Sequence, residues 1–148
     1  MHQVSAYIVA ARRTALGRVG GLHRGRRIDA LAGPVVEAVL ADARIKPTEV
    51  DEIIVGNATE GGNPARLIAL AAALGETVTA TTIDRQCGSG LEAILAGARA
   101  IALGEVHLLA SGRVGGAASE APQRLLPAQA HLARDVQHAV GQHHHPRL

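Results

Sequence analysis

A chain of 148 residues, 47% hydrophobic and 19% charged, suits one domain of ordinary size and excludes a disordered or collagenous protein. A single cysteine excludes an internal disulfide framework and a multi-cysteine zinc site, and the longest apolar run, Leu67 to Gly75, is about half the ~18 residues of a membrane-spanning helix. The net charge of +2 lies in the tail: residues 1–111 hold 11 basic and 11 acidic side chains, while 112–148 hold four Arg against Glu120 and Asp135. A neutral body with a basic tail carries no general nucleic-acid signal, and no membrane partner is expected. With Tyr7 as the only aromatic residue, the core must be built from Ala, Leu, Ile and Val.

Ser5 to Ala10 reads as a short apolar strand, and its lack of a charged preceding region sets it apart from a secretory signal. The chain is therefore expected to be soluble and cytoplasmic. Residues 12–27 hold six Arg and four Gly without period, and read as a loop. Asp29 is placed to cap a helix carrying Leu31, Val35, Val39 and Leu40 at helical spacing. Gly33-Pro34 within that pattern predicts a late start or a kink. Glu52 to Gly56 is the second strand, and Asn63-Pro64 opens a helix expected to reach about Leu74.

The beta-branched run Val78 to Ile83 is the third strand. A tight turn over 84–90 leads into a helix from about Ser89 to Leu103, ended by Gly104, and Val106 to Ala110 is a fourth strand. Strands and helices alternating at this spacing predict an α/β domain with right-handed crossovers and a mainly parallel sheet. The helix after the turn is apolar nearly all round, with only Glu92 and Arg99 breaking the ring. Such a helix is buried on more than one side. About 111 patterned residues hardly suffice to cover it twice, so a further structure is expected to do so.

Cys87 is the candidate nucleophile. A strand, a turn containing Gly88 and Gly90, and a helix present a side chain at the carboxyl end of the sheet. The unsatisfied N–H groups and dipole of the helix start favour the thiolate there. Isolated cysteines are more often small buried hydrophobes, and it is the glycines and the placement that favour chemistry here.

The run Arg85-Gln86-Cys87-Gly88-Ser89-Gly90-Leu91 resembles the nucleophile motif of the thiolases, the acetyl-CoA acetyltransferases. Ala6 to Thr14, Val50 to Asn57, Asn63 to Arg66 and Leu109 to Gly112 are similar to further segments of that family, in the same order. The resemblance spans residues 4–112 and implies the N-terminal half of a thiolase-like fold, mainly parallel, with helices on both faces. It implies that Cys87 attacks an acyl-CoA thioester, that its backbone N–H helps to hold the oxyanion, and that CoA leaves an acyl-enzyme behind. Acyl-CoA and CoA are then substrates, with no cofactor and no metal. A ketoacyl-synthase-type condensing enzyme would share the fold, but the Arg85 to Gly90 motif favours a thiolase.

The family's activating histidine and second, acid/base cysteine belong to its other half, and neither motif occurs in these residues. The chain is accordingly expected to be truncated and catalytically incomplete. Self-association or a thiolase-type partner is expected, and the alternative reading is a non-catalytic fragment acting only through a full-length homologue or a separate second half. Residues 113–148 match the family poorly and are expected to form a divergent, disordered basic and His-rich tail. The six Arg of 12–27 read as a solvated loop rather than a phosphate site. Gly112 to Gly116 lacks dinucleotide-loop spacing, and the tail histidines present no fixed metal-ligand set.

Overall fold

The computed structural model describes residues 5–18, 20–115 and 139–141. Strand β1 spans Tyr7–Ala10, helix α1 Ile28–Ala43, β2 Glu52–Gly56, α2 Pro64–Ala71, β3 Thr79–Ile83, α3 Ser89–Leu103, β4 Leu108–Arg113 and β5 Ala139–Gly141. They form one five-stranded sheet in the order β1-β5-β4-β2-β3. The pairs β2–β3 and β2–β4 are parallel, and β5 runs antiparallel to both β1 and β4. The α/β class and the mainly parallel sheet are as the sequence predicts.

The sheet is covered on both faces, which explains why β2 reads as a continuous apolar run rather than an alternating one. Ile53 and Val55 pack with Ala32, Val36 and Leu40 of α1 and with Ala65, Ile68 and Ala69 of α2. Ile54, one residue out of phase, points the other way to Leu109 and to Ala93 and Ile101 of α3. With so few large side chains, close approach replaces bulk. A methyl on Gly33 would lie 3.1 Å from Ala71 Cβ, and one on Gly97 would lie 2.6 Å from Leu109 Cδ1.

Several boundaries differ from expectation, each for a local reason. Helix α1 begins at Ile28 with Arg27 as its cap residue, not with Asp29. Asp29 sits in the first turn and pairs with Arg27 at 3.1 Å, and that guanidinium holds its carboxyl below the usual range. An acid in the first turn also suits the helix dipole. The helix runs through Pro34, whose missing N–H leaves one turn without its bond. Helix α2 stops at Ala71 rather than near Leu74, because Ala73 turns left-handed at φ 52° and Leu74 N–H folds back to donate to Ala69 O. Strand β4 starts two residues late, since the N–H groups of His107 and Leu108 both donate to the Asp51 carboxylate at 2.8 and 3.0 Å.

The loop expected over residues 12–27 is present. It is held by Arg12, paired with Asp42 of α1, and by buried His23, whose Nε2 lies 2.8 Å from Ala15 O. Within the segment expected to be a disordered tail, Ala139–Gly141 instead forms β5. It lies between β1 and β4 and runs antiparallel to both. The remaining tail, including the clustered histidines, lies outside the described residues.

Candidate active site

Strands β2, β3 and β4 are parallel and level, with Gly56 beside both Ile83 and Arg113, so their carboxyl ends share one edge. Three features converge there. From β2 the chain enters buried Asn57, whose N–H donates to Ile83 O at 2.9 Å and whose Oδ1 accepts from the N–H groups of Thr59 and Glu60. From β4 comes Arg113. From β3 the chain passes through Asp84 and Arg85 into a single 3-10 turn, Gln86–Gly88, and then into α3.

Cys87 is the middle residue of that turn and is exposed. Side chains fix the peptides leading to it. Asp84 Oδ1 accepts from Gln86 N–H at 2.9 Å, an Asx-type turn. Ser89, wholly buried, accepts from Arg85 N–H at 2.8 Å and donates through Oγ to Gln86 O at 2.7 Å. The backbone adds Gly88 N–H to Arg85 O at 3.0 Å. Gln86 is left-handed at φ 51°, a conformation costly to a residue with a Cβ and one that persists only where surrounding bonds impose it.

The expectation that Gly88 and Gly90 make the sharp turn is therefore corrected: neither has positive φ, and Gln86 makes the reversal. Gly90 serves another purpose, because a Cβ there would lie 2.8 Å from Arg113 Cβ. At Gly56 a methyl would run into the carbonyl of Ser89. The two glycines let the first turn of α3 sit directly on the ends of β2 and β4. Asp84 and Ser89 were not singled out from the sequence, although an Asp two residues before a turn residue carries that signal.

The face of α3 against the sheet carries Ser89, Ala93, Gly97 and Ile101, spaced four apart, the first three of them small. Leu91, Leu95 and Leu103 point away and are exposed, Leu91 by 64% and Leu103 by 74%. No described residue covers them, so the second cover that an all-round apolar helix calls for is not among the described residues. Glu92 pairs with both Arg99 and Arg85, and these two guanidiniums hold its carboxyl below the usual range. The two charges that interrupt the apolar ring thus neutralise one another beside the Cys87 turn.

The arginines expected to form a solvated loop lie before α1. Arg12 and Arg27 are engaged with Asp42 and Asp29, and Arg13, Arg18, Arg24 and Arg26 are exposed on their loop, as a solvated segment requires. Among the described residues no three His, Cys, Asp or Glu side chains gather to hold a metal. No helix of the described residues is long and apolar enough to cross a membrane.

An exposed thiol on a rigid strand–turn–helix can act as a nucleophile at a helix start, where N–H groups are available to a developing anion. Comparison with known proteins agrees with that architecture. An acetyl-CoA acetyltransferase of Cupriavidus necator is 41% identical over 108 residues, 71% of this chain and 28% of the relative. One from Schizosaccharomyces pombe is 36% identical over 115 residues, 76% of this chain and 29% of the relative. Among solved structures, the Bacillus anthracis acetyl-CoA acetyltransferase superposes with a TM-score of 0.77 at 35% identity, over 84% of this chain and 34% of that one. Human mitochondrial 3-ketoacyl-CoA thiolase in complex with CoA gives 0.68 at 29% identity, over 73% and 28% respectively. The chain spans less than a third of the length of the curated relatives it matches. The thiolase N-terminal domain itself matches over residues 6–125, beyond the limit of 112 expected from the motifs and past the end of β4, so the chain belongs to the thiolase family.

Proposed function

We propose that the chain is a nucleophile-bearing part of an acyl-CoA acyltransferase, and that Cys87 takes an acyl group from an acyl-CoA thioester. The observation that carries this reading is the exposure of Cys87 on a side-chain-clamped turn between β3 and α3, at the carboxyl edge of the parallel strands. The thiol gives its proton to solvent and Sγ bonds to the acyl carbon. The bond from that carbon to the CoA sulfur breaks, and CoA leaves with the electron pair. The oxygen bears the charge in between, beside the first N–H groups of the turn and helix.

The second half-reaction needs a base to deprotonate another acyl-CoA, or a general acid–base group to activate CoA. Cys87 is the only cysteine of the 148 residues, so no second thiol is available for that task. The acyl-enzyme should accumulate rather than turn over. Incubation with acetyl-CoA and intact-mass measurement is expected to show one acetyl group per chain, absent from Cys87→Ser, with no further CoA release. An unlabelled wild type, or equal labelling of Cys87→Ser, would overturn the proposal.

The uncovered leucines of α3 favour a second reading. In it the chain works by associating with a full-length homologue or a separately encoded second half, which covers Leu91, Leu95 and Leu103. Turnover restored by adding such a partner to Cys87→Ser, with no acetyl group ever found on Cys87 of the wild type, would select that reading.

A further inference from the structure

The only wholly buried hydroxyl on the face of α3 against the sheet belongs to the residue two positions after Cys87, and both of its hydrogen bonds go to the turn before Cys87. Ser89 Oγ accepts from Arg85 N–H at 2.8 Å and donates to Gln86 O at 2.7 Å, and the Ser89 N–H donates to the same Gln86 oxygen. Gln86 O and Cys87 N–H belong to one peptide. A trans peptide is planar, and its C=O and N–H point in opposite directions. Two bonds to the oxygen therefore fix the direction of the Cys87 N–H. They also hold Gln86 at φ 51°, which a residue with a Cβ leaves when it is released. Gly56, with no side chain, lets the Ser89 backbone rest on the end of β2, so the clamp is anchored to the sheet.

We infer that Ser89 is a positioning residue for acyl transfer, whose hydroxyl, by gripping the Gln86 carbonyl, aims the Cys87 N–H at the place where the thioester oxygen becomes an oxyanion. The inference rests on the reading of Cys87 as the nucleophile. It concerns one kind of reaction at that sulfur. Transfer of an acyl group to Sγ passes through a tetrahedral oxyanion and needs the aimed N–H. Alkylation of the same sulfur forms an S–C bond as iodide leaves, generates no oxyanion and has no use for it.

The test compares two reagents on the full 148-residue chain. Acetylation of Cys87 by 4-nitrophenyl acetate and alkylation by iodoacetamide are timed for wild type, Ser89→Ala and Ser89→Thr, with Cys87→Ser as the blank. Ser89→Ala is expected to slow acetylation by about tenfold or more, a part of what loss of an oxyanion donor costs. Alkylation should change less than about threefold, and Ser89→Thr, which keeps the hydroxyl, should return the ratio toward wild type. A merely structural role would move both rates together. Equal changes in both, or none in either, would overturn the inference. Thermal melting identifies a variant that does not fold, and the comparison then rests on Ser89→Val against Ser89→Thr, which share a shape and differ in the hydroxyl. A parallel arm with acetyl-CoA separates the two levels. A split that persists with 4-nitrophenyl acetate while acetyl-CoA leaves Cys87 unlabelled would sink the acyl-CoA reading and keep the Ser89 role.

Discussion

Two glycines where α3 meets the sheet, Gly56 in β2 and Gly97 in α3, differ in what they abut. A methyl at Gly56 would meet the backbone of Ser89 and Gly90, which cannot give way without lifting the first turn of α3. A methyl at Gly97 would meet the end of the Leu109 side chain and no backbone atom. Overpacking costs roughly 1–3 kcal/mol, and Ala gains about 1 kcal/mol over Gly inside a helix. Gly56→Ala should therefore lose about 2–3 kcal/mol in urea unfolding, whereas Gly97→Ala, within α3, should stay within about 1 kcal/mol of wild type. Equal losses at both sites would show that α3 does not rest on β2 through its backbone.

At the scale of elements, α3 ties its only acid to two bases. Glu92 is held below the ordinary carboxylate range by its hydrogen bond to Arg99 and then by that to Arg85. A depressed carboxyl contributes stability above its unfolded titration range and loses it as the pH falls through the folded one. The melting difference between wild type and Glu92→Gln should therefore be constant near neutral pH and vanish as the solution is acidified through and below the usual carboxylate range. The difference should be small and shrink with salt, because Arg85 and Arg99 are largely exposed. A gap that persists at low pH or in high salt would assign Glu92 a packing role instead.

The elements were readable in the sequence wherever one local rule decides. Asn63 before Pro64, Gly104 after Leu103 and the beta-branched run into Ile83 each stand where the structure has them. Ends set by distant partners were not readable. The start of β4 depends on Asp51, more than fifty residues away in the chain. The site divides the same way. Cys87 stands out by motif, but the left-handed Gln86 does not, because nothing local to a glutamine asks for positive φ; only the bonds from Asp84 and Ser89 do.

For the whole molecule, the uncovered surface matters more than the covered one. Leu91, Leu95 and Leu103 on α3 are exposed, as are Tyr7, Ile8 and Val9 on β1. The isolated chain should self-associate, and Leu91→Glu with Leu95→Glu should shift it toward monomer without loss of melting temperature, since neither side chain packs in the core. Sedimentation velocity at several concentrations checks this; a wild-type monomer at all of them would refute it.

Among the described residues, strand β1 is hydrogen-bonded to the sheet through β5, which joins it to β4. The pairing of Ala10 with Ala139 closes nearly the full length of the chain, a loop whose entropy cost is on the order of 4 kcal/mol before any contact offsets it. The parallel trio β2–β3–β4 closes far shorter loops and carries the Cys87 turn on its own edge. As the chain emerges during synthesis, the nucleophile's scaffold can therefore assemble early, while the residues made first wait for Ala139–Gly141 and are the last to be locked in.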